Sequence, residues 1–259
     1  MIEEGSSAEP DWPGYLAAFH AERAGITEDV LEHACDDGGR TPYDWAADAL
    51  REGLSDDASA RVLDLACGSA PMSLRLRGHD YLGMDLSVAE LARARARALP
   101  VTAADAARLP LADASVDAVV MSMALMLVPL RPALAEIRRV LRPGGVFVAT
   151  VPHNRPMPTG DWLRYARLCV AMRHPGLSYP NDKLLRDARG EFRSAGLSLR
   201  QDVAGSFACD LVNTRRAEQL LASLYLPDVR SDRLEAGRKV VRRWAGSSIT
   251  TPIRLLVGG

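Results

Sequence analysis

Aspartates stand at or just beyond the ends of three short apolar segments in the first half of the chain. They are Asp64, Asp85 and Asp105. The first segment continues into a turn of small residues that includes Ala66 and Gly68. Small side chains let a ligand approach the backbone closely, and the amides of such a turn can face an anionic group. A carboxylate in the position of Asp85 can accept hydrogen bonds from the hydroxyls of a ribose.

The charges of this turn restrict the ligand. Residues 64–73 contain no Lys or Arg and lack the third glycine of a G-x-G-x-x-G motif, so this turn is poorly suited to bind a pyrophosphate. The carboxylate of Asp64 would repel a phosphate and attract an ammonium group. The residues therefore favour an adenosine without phosphates that carries an amino acid and a net positive charge.

The elements that must position these residues form a regular alternation. Apolar runs over residues 61–66, 80–85, 101–104, 116–122 and 146–151 predict five strands. Helices are predicted over residues 71–77, over 88–99 behind a Ser87/Glu90 capping box, and from Pro132 to the Arg142–Gly145 turn. Strands joined by helical crossovers indicate a parallel, doubly wound α/β sheet. Ligands bind such sheets beyond the carboxyl ends of the strands, where the aspartates stand.

The rest of the chain adds helices at both ends of this core. Helices are predicted over residues 15–24, 27–33 and 42–53, and then over 161–172, 183–195, 214–226 and 231–245. Strands over residues 197–207 and 253–257 bring the sheet to seven. The two helices between these last strands suggest a lid. We expect one domain over residues 1–259: a helical N-terminal cap (1–55), a cofactor-binding core (56–152), and substrate-side insertions with the terminal strands (153–259).

Composition excludes several classes of protein. The 32 basic and 33 acidic residues leave a net charge of -1, which removes the main electrostatic reason to expect nucleic acid as a partner. The four cysteines contain no C-x-x-C pair, so we expect no metal site. No apolar run approaches the roughly 18 residues of a membrane span. We expect a soluble cytoplasmic protein, a monomer or homodimer with no membrane partner, that acts on a small molecule.

An ordered series of motifs resembles a known family. The motifs are Val62-Leu63-Asp64-Leu65-Ala66-Cys67-Gly68-Ser69-Ala70, Gly83-Met84-Asp85-Leu86-Ser87, Asp105-Ala106, Val116-Asp117-Ala118-Val119-Val120 and Glu136-Ile137 through Arg139-Val140-Leu141-Arg142-Pro143-Gly144-Gly145. Their order and spacing resemble class I S-adenosylmethionine-dependent methyltransferases of the small-molecule, ubiquinone-biosynthesis type. The resemblance covers about residues 60–152. It implies a Rossmann-like, seven-stranded, mostly parallel sheet, S-adenosyl-L-methionine as cofactor, and methyl transfer to a small organic acceptor.

The resemblance also implies roles for individual residues. Asp64 and the backbone of Ala66, Cys67 and Gly68 would hold the methionyl part, and Asp85 would bind the ribose. Leu86 would pack on the adenine, and Asp105 with the Ala106 amide would bind its edge. Met121 and Ser122 would lie near the sulfonium. The chain departs from the family at Ala66 and Ala70, where glycines are usual.

Residues outside the motifs are candidates for the acceptor side. A general base is needed only if the acceptor must lose a proton, and His153 or His20 could be that base or could orient the acceptor; a solvent-exposed position is the alternative for His153. Met123, Met126, Arg23 and Trp45 are candidates to line the acceptor pocket, and Tyr43 to close over the cofactor. Plain core packing is the alternative for the two methionines, Tyr43 and Trp45.

Two other functions stay open at the level of sequence. One is a nicotinamide-dependent oxidoreductase on a related sheet, which the missing glycine and the absence of a Tyr-x-x-x-Lys pair disfavour. The other is a methyltransferase-like protein that binds the cofactor without methylating.

Overall fold

The computed structural model describes residues 10–54, 57, 59–153 and 157–259. Within these ranges the chain forms ten α-helices, two 3₁₀ helices and eight β-strands. The strands are β1 (Ala34–Cys35), β2 (Arg61–Leu65), β3 (Asp80–Asp85), β4 (Val101–Ala103), β5 (Val116–Ser122), β6 (Leu141–Pro152), β7 (Leu199–Leu211) and β8 (Ser247–Gly258). The α-helices are α1 (Trp12–Glu22), α2 (Ile26–Leu31), α3 (Pro42–Gly53), α4 (Val88–Ala96), α5 (Leu130–Val140), α6 (Thr159–Met172), α7 (Asp182–Arg186), α8 (Ala188–Ser194), α9 (Thr214–Ala222) and α10 (Ser231–Val241). The 3₁₀ helices span Pro71–Leu74 and Arg242–Trp244.

The eight described strands form one sheet in the order β1-β7-β8-β6-β5-β2-β3-β4. Strands β6, β5, β2, β3 and β4 are parallel, and β8, β7 and β1 add antiparallel pairs at one side. The prediction of a doubly wound, mostly parallel Rossmann-like sheet is confirmed. The strand count differs, because β1 adds an eighth strand by pairing with Ala208 and Cys209. Two residues carry too short a pattern to predict a strand.

Helices cover both faces of the sheet and divide the core in two. The helix α3 packs on β5 and β6, and its face of the sheet is continued by buried side chains of α6, α9 and α10. Side chains of α5 and α8 fill the other face. Thr41 caps α3 in a complete capping box with Asp44, which explains why this helix begins where Pro42 predicts.

Several boundaries differ from the predictions for local reasons. The helix expected over residues 71–77 is only the 3₁₀ helix Pro71–Leu74. The strand expected at residue 146 begins at Leu141, because the Arg142–Gly145 turn is a bulge within β6 and does not precede it. The helix expected over residues 183–195 is divided into α7 and α8, since Asp187 caps the second helix by accepting a hydrogen bond from the amide of Gly190.

An antiparallel arm extends the sheet past its carboxyl edge. Pro152, the last residue of β6, pairs with Ile253, and beyond that point β7 and β8 continue to pair through residues 206–211 and 247–252. We call these two stretches the arm. The chain that connects these two strands contains α9 and α10. The helix α9 packs on α2, and α10 packs on α6. The later helices and the N-terminal helices therefore meet beside the edge where the aspartates lie.

Candidate functional site

The turn that follows β2 (residues 66–70) has an unusual backbone. Ala66, Gly68 and Ala70 have φ angles of 53°, 55° and 64°, all in the left-handed region that glycine adopts without strain. This conformation is the physical reason for the glycines that the family usually has at the two alanine positions. Both alanines adopt the left-handed conformation nonetheless.

Asp85 connects this turn to the next strand. One carboxylate oxygen accepts a hydrogen bond from the amide of Gly68 at 2.7 Å, and the other accepts one from the amide of Ser87 at 2.7 Å. Burial raises the pKa of Asp85, while the two amide hydrogen bonds and the nearby His20 act to lower it. Each carboxylate oxygen has further lone pairs, so Asp85 can hold the turn and also accept from a ligand hydroxyl.

Asp64 lies deeper and is almost fully buried. Its carboxylate accepts a hydrogen bond of 2.6 Å from the hydroxyl of Tyr81 on β3. Burial raises its pKa to about 7, with the Tyr81 hydrogen bond opposing the rise. Asp64 is therefore only partly ionised at neutral pH, and a neighbouring cation would favour its charged form.

Two further positions line the same edge. Leu86 leaves 71% of its surface exposed directly after Asp85, which provides an apolar face at the end of β3. Beyond β4, Asp105 accepts a hydrogen bond from the amide of Ala107 at 2.8 Å, and Ala106 is buried. The chain thus brings Asp64, residues 66–68, Asp85, Leu86 and Asp105 to the ends of three neighbouring strands.

The end of β5 carries a second strained position. Met123 has a φ of 54°, and its amide donates to the carbonyl of Thr150 on β6 at 2.9 Å and contacts the Thr150 hydroxyl at 3.2 Å. That hydroxyl also lies 3.0 Å from the hydroxyl of Ser122. Thr150 is fully buried and fixes the chain where Ser122 and Met123 meet the carboxyl edge; Met121 is core.

The N-terminal helices α1 and α2, which we call the cap, dock on this edge through Glu90. The buried carboxylate of Glu90 accepts from the amide of Gly25 at 2.9 Å and lies 3.0 Å from Nδ1 of His20. The Nε2 atom of His20 faces the hydroxyl of Tyr225 at 3.5 Å. The predicted capping box at the start of α4 is therefore only half correct. Ser87 accepts from the amide of Glu90, but the Glu90 side chain binds the cap instead.

A second set of contacts joins the cap to the turn. The hydroxyl of Ser69 donates to Glu28 of α2, and Arg97 binds both Glu28, at 3.2 Å, and the carbonyl of Ser69. Ser69 is buried. The cap thus lies against the turn and the start of α4, the two elements that would surround a bound ligand.

Three other predicted site residues, Tyr43, Cys67 and Trp45, pack against side chains of the protein itself. Tyr43 is buried beneath the guanidinium of Arg75, 5.5 Å from its ring centroid, and burial raises its pKa well above the usual value. The Cys67 thiol is also buried, which raises its pKa and makes it a packing group. Trp45 packs on Phe207 of the arm with the ring centroids 5.6 Å apart.

Three other side chains lie apart from the turn. Met126 is buried in the core, which favours the packing interpretation of this residue. Arg23 lies over the ring of Phe19 at 5.0 Å on the cap itself. His153 follows β6 near Asp202 of β7, whose pKa is lowered chiefly by its hydrogen bonds with Arg254 and to a smaller extent by His153. The roles of these residues and of His20 stay predictions.

Sequence reasoning missed Glu90 as a docking group, along with Glu28, Thr150, Tyr81 and Tyr225. Each contacts a partner at least 17 positions away in the chain; the Tyr81 hydroxyl, for example, donates a hydrogen bond to Asp64. No local sequence motif predicts such a contact. Across the described stretches of the chain, no group of three or more His, Cys, Asp or Glu side chains is placed to hold a metal ion.

Comparison with known proteins bears mainly on the segment from β2 to β6. A family described as a methyltransferase domain matches residues 63–149. Demethylmenaquinone methyltransferase of Mycolicibacterium vanbaalenii is 41% identical over 117 residues, which are 43% of this chain and 51% of that protein. The enzyme of the same name from Beutenbergia cavernae is 38% identical over 133 residues, 49% of this chain and 52% of that protein. The chain thus spans about half the length of these curated relatives.

Solved structures share the fold over most of the chain. The YcgJ protein of Bacillus subtilis superposes with a TM-score of 0.54 and 18% identity, covering 83% of this chain and 97% of that one. The [4+2]-cyclase SpnF superposes with a TM-score of 0.56 and 22% identity, covering 95% of this chain and 92% of that one. At such identities the likeness concerns the fold alone. Over residues 63–149 the chain is therefore similar to methyltransferase domains.

Proposed function

We propose that the protein transfers the methyl group of S-adenosyl-L-methionine to a small organic acceptor. The observation that carries this proposal is the turn after β2, whose left-handed backbone is held by Asp85 within a matched methyltransferase domain. The cofactor supplies a methyl group already activated on a sulfonium, so the protein's task is to position the acceptor and exclude water.

The residues present fit this cofactor. Between Asp64 and Ser73 the turn has no basic side chain, which suits a cation better than a phosphate. Asp64 would bind the ammonium group, and Asp85 would accept hydrogen bonds from the ribose hydroxyls. The exposed face of Leu86 would pack on the adenine, and Asp105 with the Ala106 amide would bind the edge of the adenine. The amides and small side chains of residues 66–68 would hold the rest of the methionyl part.

The acceptor would lie beyond β5, beside the strained Met123. Thr150 fixes this position from the neighbouring strand. His20 is the better-supported candidate for a base, because Glu90 holds its Nδ1 side and leaves Nε2 directed toward Tyr225. His153 keeps the same proposed role from the end of β6.

We assign the enclosure of the acceptor to the parts outside the cofactor core, residues 1–55 and 153–259. The relatives named demethylmenaquinone methyltransferase match only about half of their length, so their acceptor is a starting point for a screen. A panel of hydroxylated and quinol-type aromatic compounds, with amines and thiols beside them, should contain a compound that gains the mass of one methyl group.

Binding of S-adenosylhomocysteine to Asp85 variants tests the cofactor site. Asp85→Ala should weaken binding at least tenfold in calorimetry, because it removes the ribose acceptor and the clamp on Gly68. Asp80→Ala is the matched control, since Asp80 lies at the opposite end of the same strand in an exposed ion pair with Arg61. Unchanged binding in a folded Asp85→Ala protein would refute the assignment.

The same binding and mass measurements also test the two alternative functions. Binding of NADH but not of S-adenosylhomocysteine would indicate an oxidoreductase. Tight binding of S-adenosylhomocysteine without a methyl mass gain for any acceptor would favour a protein that uses the fold without methylating. We include the second outcome because one fold neighbour is named as a [4+2]-cyclase.

A further inference from the structure

The outer face of α6 is unusually apolar for a solvent-facing helix. Among the described residues nine large hydrophobic side chains are exposed, and four of them lie on α6 and the loop after it. They are Trp162 (59% exposed), Leu163 (45%), Val170 (77%) and Leu177 (44%). Single exposed hydrophobic residues are ordinary, whereas a cluster on one face marks an interaction surface.

Helical geometry places three of these residues together. At 3.6 residues per turn, Trp162, Leu163 and Val170 share one side of α6. The opposite side carries Leu168 and Met172, both buried. These pack on Gly237 of α10 so closely that a Cβ atom there would lie 2.9 Å from Met172. The apolar outer side is thus left over after the helix has buried its inner side.

Beyond Asp161, the charged residues of α6 and of the loop after it are all basic. No acidic residue occurs from Trp162 to Pro180. Arg164 is used internally, by Asp161 and by the carbonyl of Ser248. Arg167 and Arg173 flank the apolar side chains, are exposed, and form no ion pair with any residue in the described part of the chain. We call Trp162, Leu163, Arg167, Val170 and Arg173 the α6 face.

We propose that the α6 face docks the protein on the surface of an anionic lipid bilayer. An apolar stripe flanked by arginines is the pattern of a helix that lies in the membrane interface. Tryptophan favours that boundary because its ring is apolar with one polar N–H. Arginines extend their heads to the lipid phosphates while their stems cover apolar surface, and each basic group near an anionic surface adds attraction.

The position of α6 connects this surface to the candidate site. Asp161 accepts a hydrogen bond from the amide of Thr250 at 3.0 Å, and Arg164 donates to Ser248 at 2.8 Å. Both partners belong to the arm, which extends past the carboxyl edge of the sheet. Docking through α6 would therefore hold on the lipid surface the side of the molecule where a lipophilic acceptor would enter. In the described ranges no helix is long and apolar enough to cross a membrane, so the contact would be peripheral.

Sedimentation with vesicles tests the proposal without reference to catalysis. The full chain should bind vesicles of phosphatidylcholine mixed with phosphatidylglycerol, and binding to phosphatidylcholine alone should be at least tenfold weaker. High salt should weaken the binding to mixed vesicles, because it screens the arginines. The double variant Trp162→Ser/Leu163→Ser should lose about tenfold in affinity, and Arg167→Glu/Arg173→Glu should lose at least as much.

Matched substitutions control for general effects on the surface. Val203→Ser removes an exposed apolar side chain of β7 outside the arm, and Arg95→Glu reverses an exposed charge on α4; both should bind as the wild type does. Equal binding of the α6 variants and the wild type would overturn the proposal, as would equal binding to neutral and anionic vesicles. A dimer in solution that only the α6 variants abolish would assign the face to a second copy of the chain and would also overturn it.

Discussion

Two alanines occupy left-handed backbone positions in the turn after β2, and they differ in what their methyl groups do. Ala70 is fully buried with Cys67 and Leu91, so its methyl contributes to packing. Ala66 is only partly buried. The strain of a left-handed alanine is about 1–2 kcal/mol, and at Ala66 little packing offsets it.

We expect Ala66→Gly to raise the free energy of unfolding by about 1 kcal/mol, because relief of strain outweighs the added flexibility of glycine in the unfolded chain. Urea denaturation measures the change. Ala104→Gly is the control: Ala104 has no left-handed φ, so glycine there should destabilise the protein. A loss of stability in Ala66→Gly would contradict the strain at this turn.

Asp64 makes stability depend on pH in a direction unusual for a carboxylate. Its folded pKa of about 7 exceeds the usual unfolded value of about 3.9. The folded state therefore holds the extra proton between about pH 4 and pH 7, and stability falls as pH rises through that window. At about 1.4 kcal/mol per pKa unit, the cost of ionising Asp64 is on the order of 4 kcal/mol at pH 8.

We expect Asp64→Asn to be more stable than the wild type at about pH 8 and equal to it near pH 4, as urea denaturation at several pH values would show. The exposed Asp80→Asn is the control and should show no gain that grows with pH. The same Asp64→Asn variant should bind S-adenosylhomocysteine more weakly, so stability and binding should move in opposite directions. A stability gain that does not change with pH would disprove the assignment of the raised pKa.

At the scale of elements, the cap depends on one buried carboxylate. Glu90 is the partner of both Gly25 and His20. The other contacts between cap and turn, from Glu28 and Arg97, leave part of these side chains exposed. A more exposed ion pair contributes little, so Glu90 should dominate the docking of α1 and α2.

We expect Glu90→Ala to lower the free energy of unfolding by about 3 kcal/mol, because it leaves a buried amide and an imidazole without their partner. Hydrogen exchange in α1 and α2 should accelerate, and dissociation of S-adenosylhomocysteine should become faster. Glu52→Ala, an exposed position on α3, is the control. Unchanged exchange in the cap would mean that Glu90 does not hold it.

Elements with local signals could be predicted, and elements set by distant contacts could not. The apolar runs of β3 and β5 gave their exact bounds, and Thr41 with Pro42 marked the start of α3. Glu90 fitted a local capping pattern equally well, yet its side chain accepts a hydrogen bond from the buried amide of Gly25 instead. The strand β1 and the long arm exist only because another strand is present to pair with them.

At the scale of the whole molecule, the segment with the ordered motifs could be predicted better than the parts of the chain on either side of it. The segment from β2 to β6 carries an ordered series of motifs at the ends of its strands, so Asp64, Asp85 and Asp105 could be placed at one edge from sequence. The surroundings of His153, Arg23 and Trp45 depend on how the cap, the arm and the later helices fold together. The α6 face could not be predicted from an apolar run, because Trp162 and Leu163 lie on the same side as Val170 only once the segment is helical.

Cofactor binding should also stabilise the whole molecule. At a concentration of about 100 times its Kd, a ligand that binds only the folded state adds about 2.7 kcal/mol. For a chain of this size each kcal/mol raises Tm by about 2–4 °C, so S-adenosylhomocysteine should raise it by about 5–10 °C. NADH should leave Tm unchanged in the same calorimetric scan. A comparable shift with NADH would contradict the proposed cofactor.

The buried pair of Asp64 and Tyr81 also implies that the cofactor exchanges for a proton. Near neutral pH about half of the free molecules hold a proton on Asp64, and an ammonium arriving beside it would expel that proton. The heat of binding should then differ between phosphate and Tris buffers, in proportion to the buffers' own heats of ionisation. Affinity should rise as pH increases through about 7 and then level off. Asp64→Asn should bind with one heat in both buffers, and a wild-type heat independent of buffer would place the ammonium elsewhere.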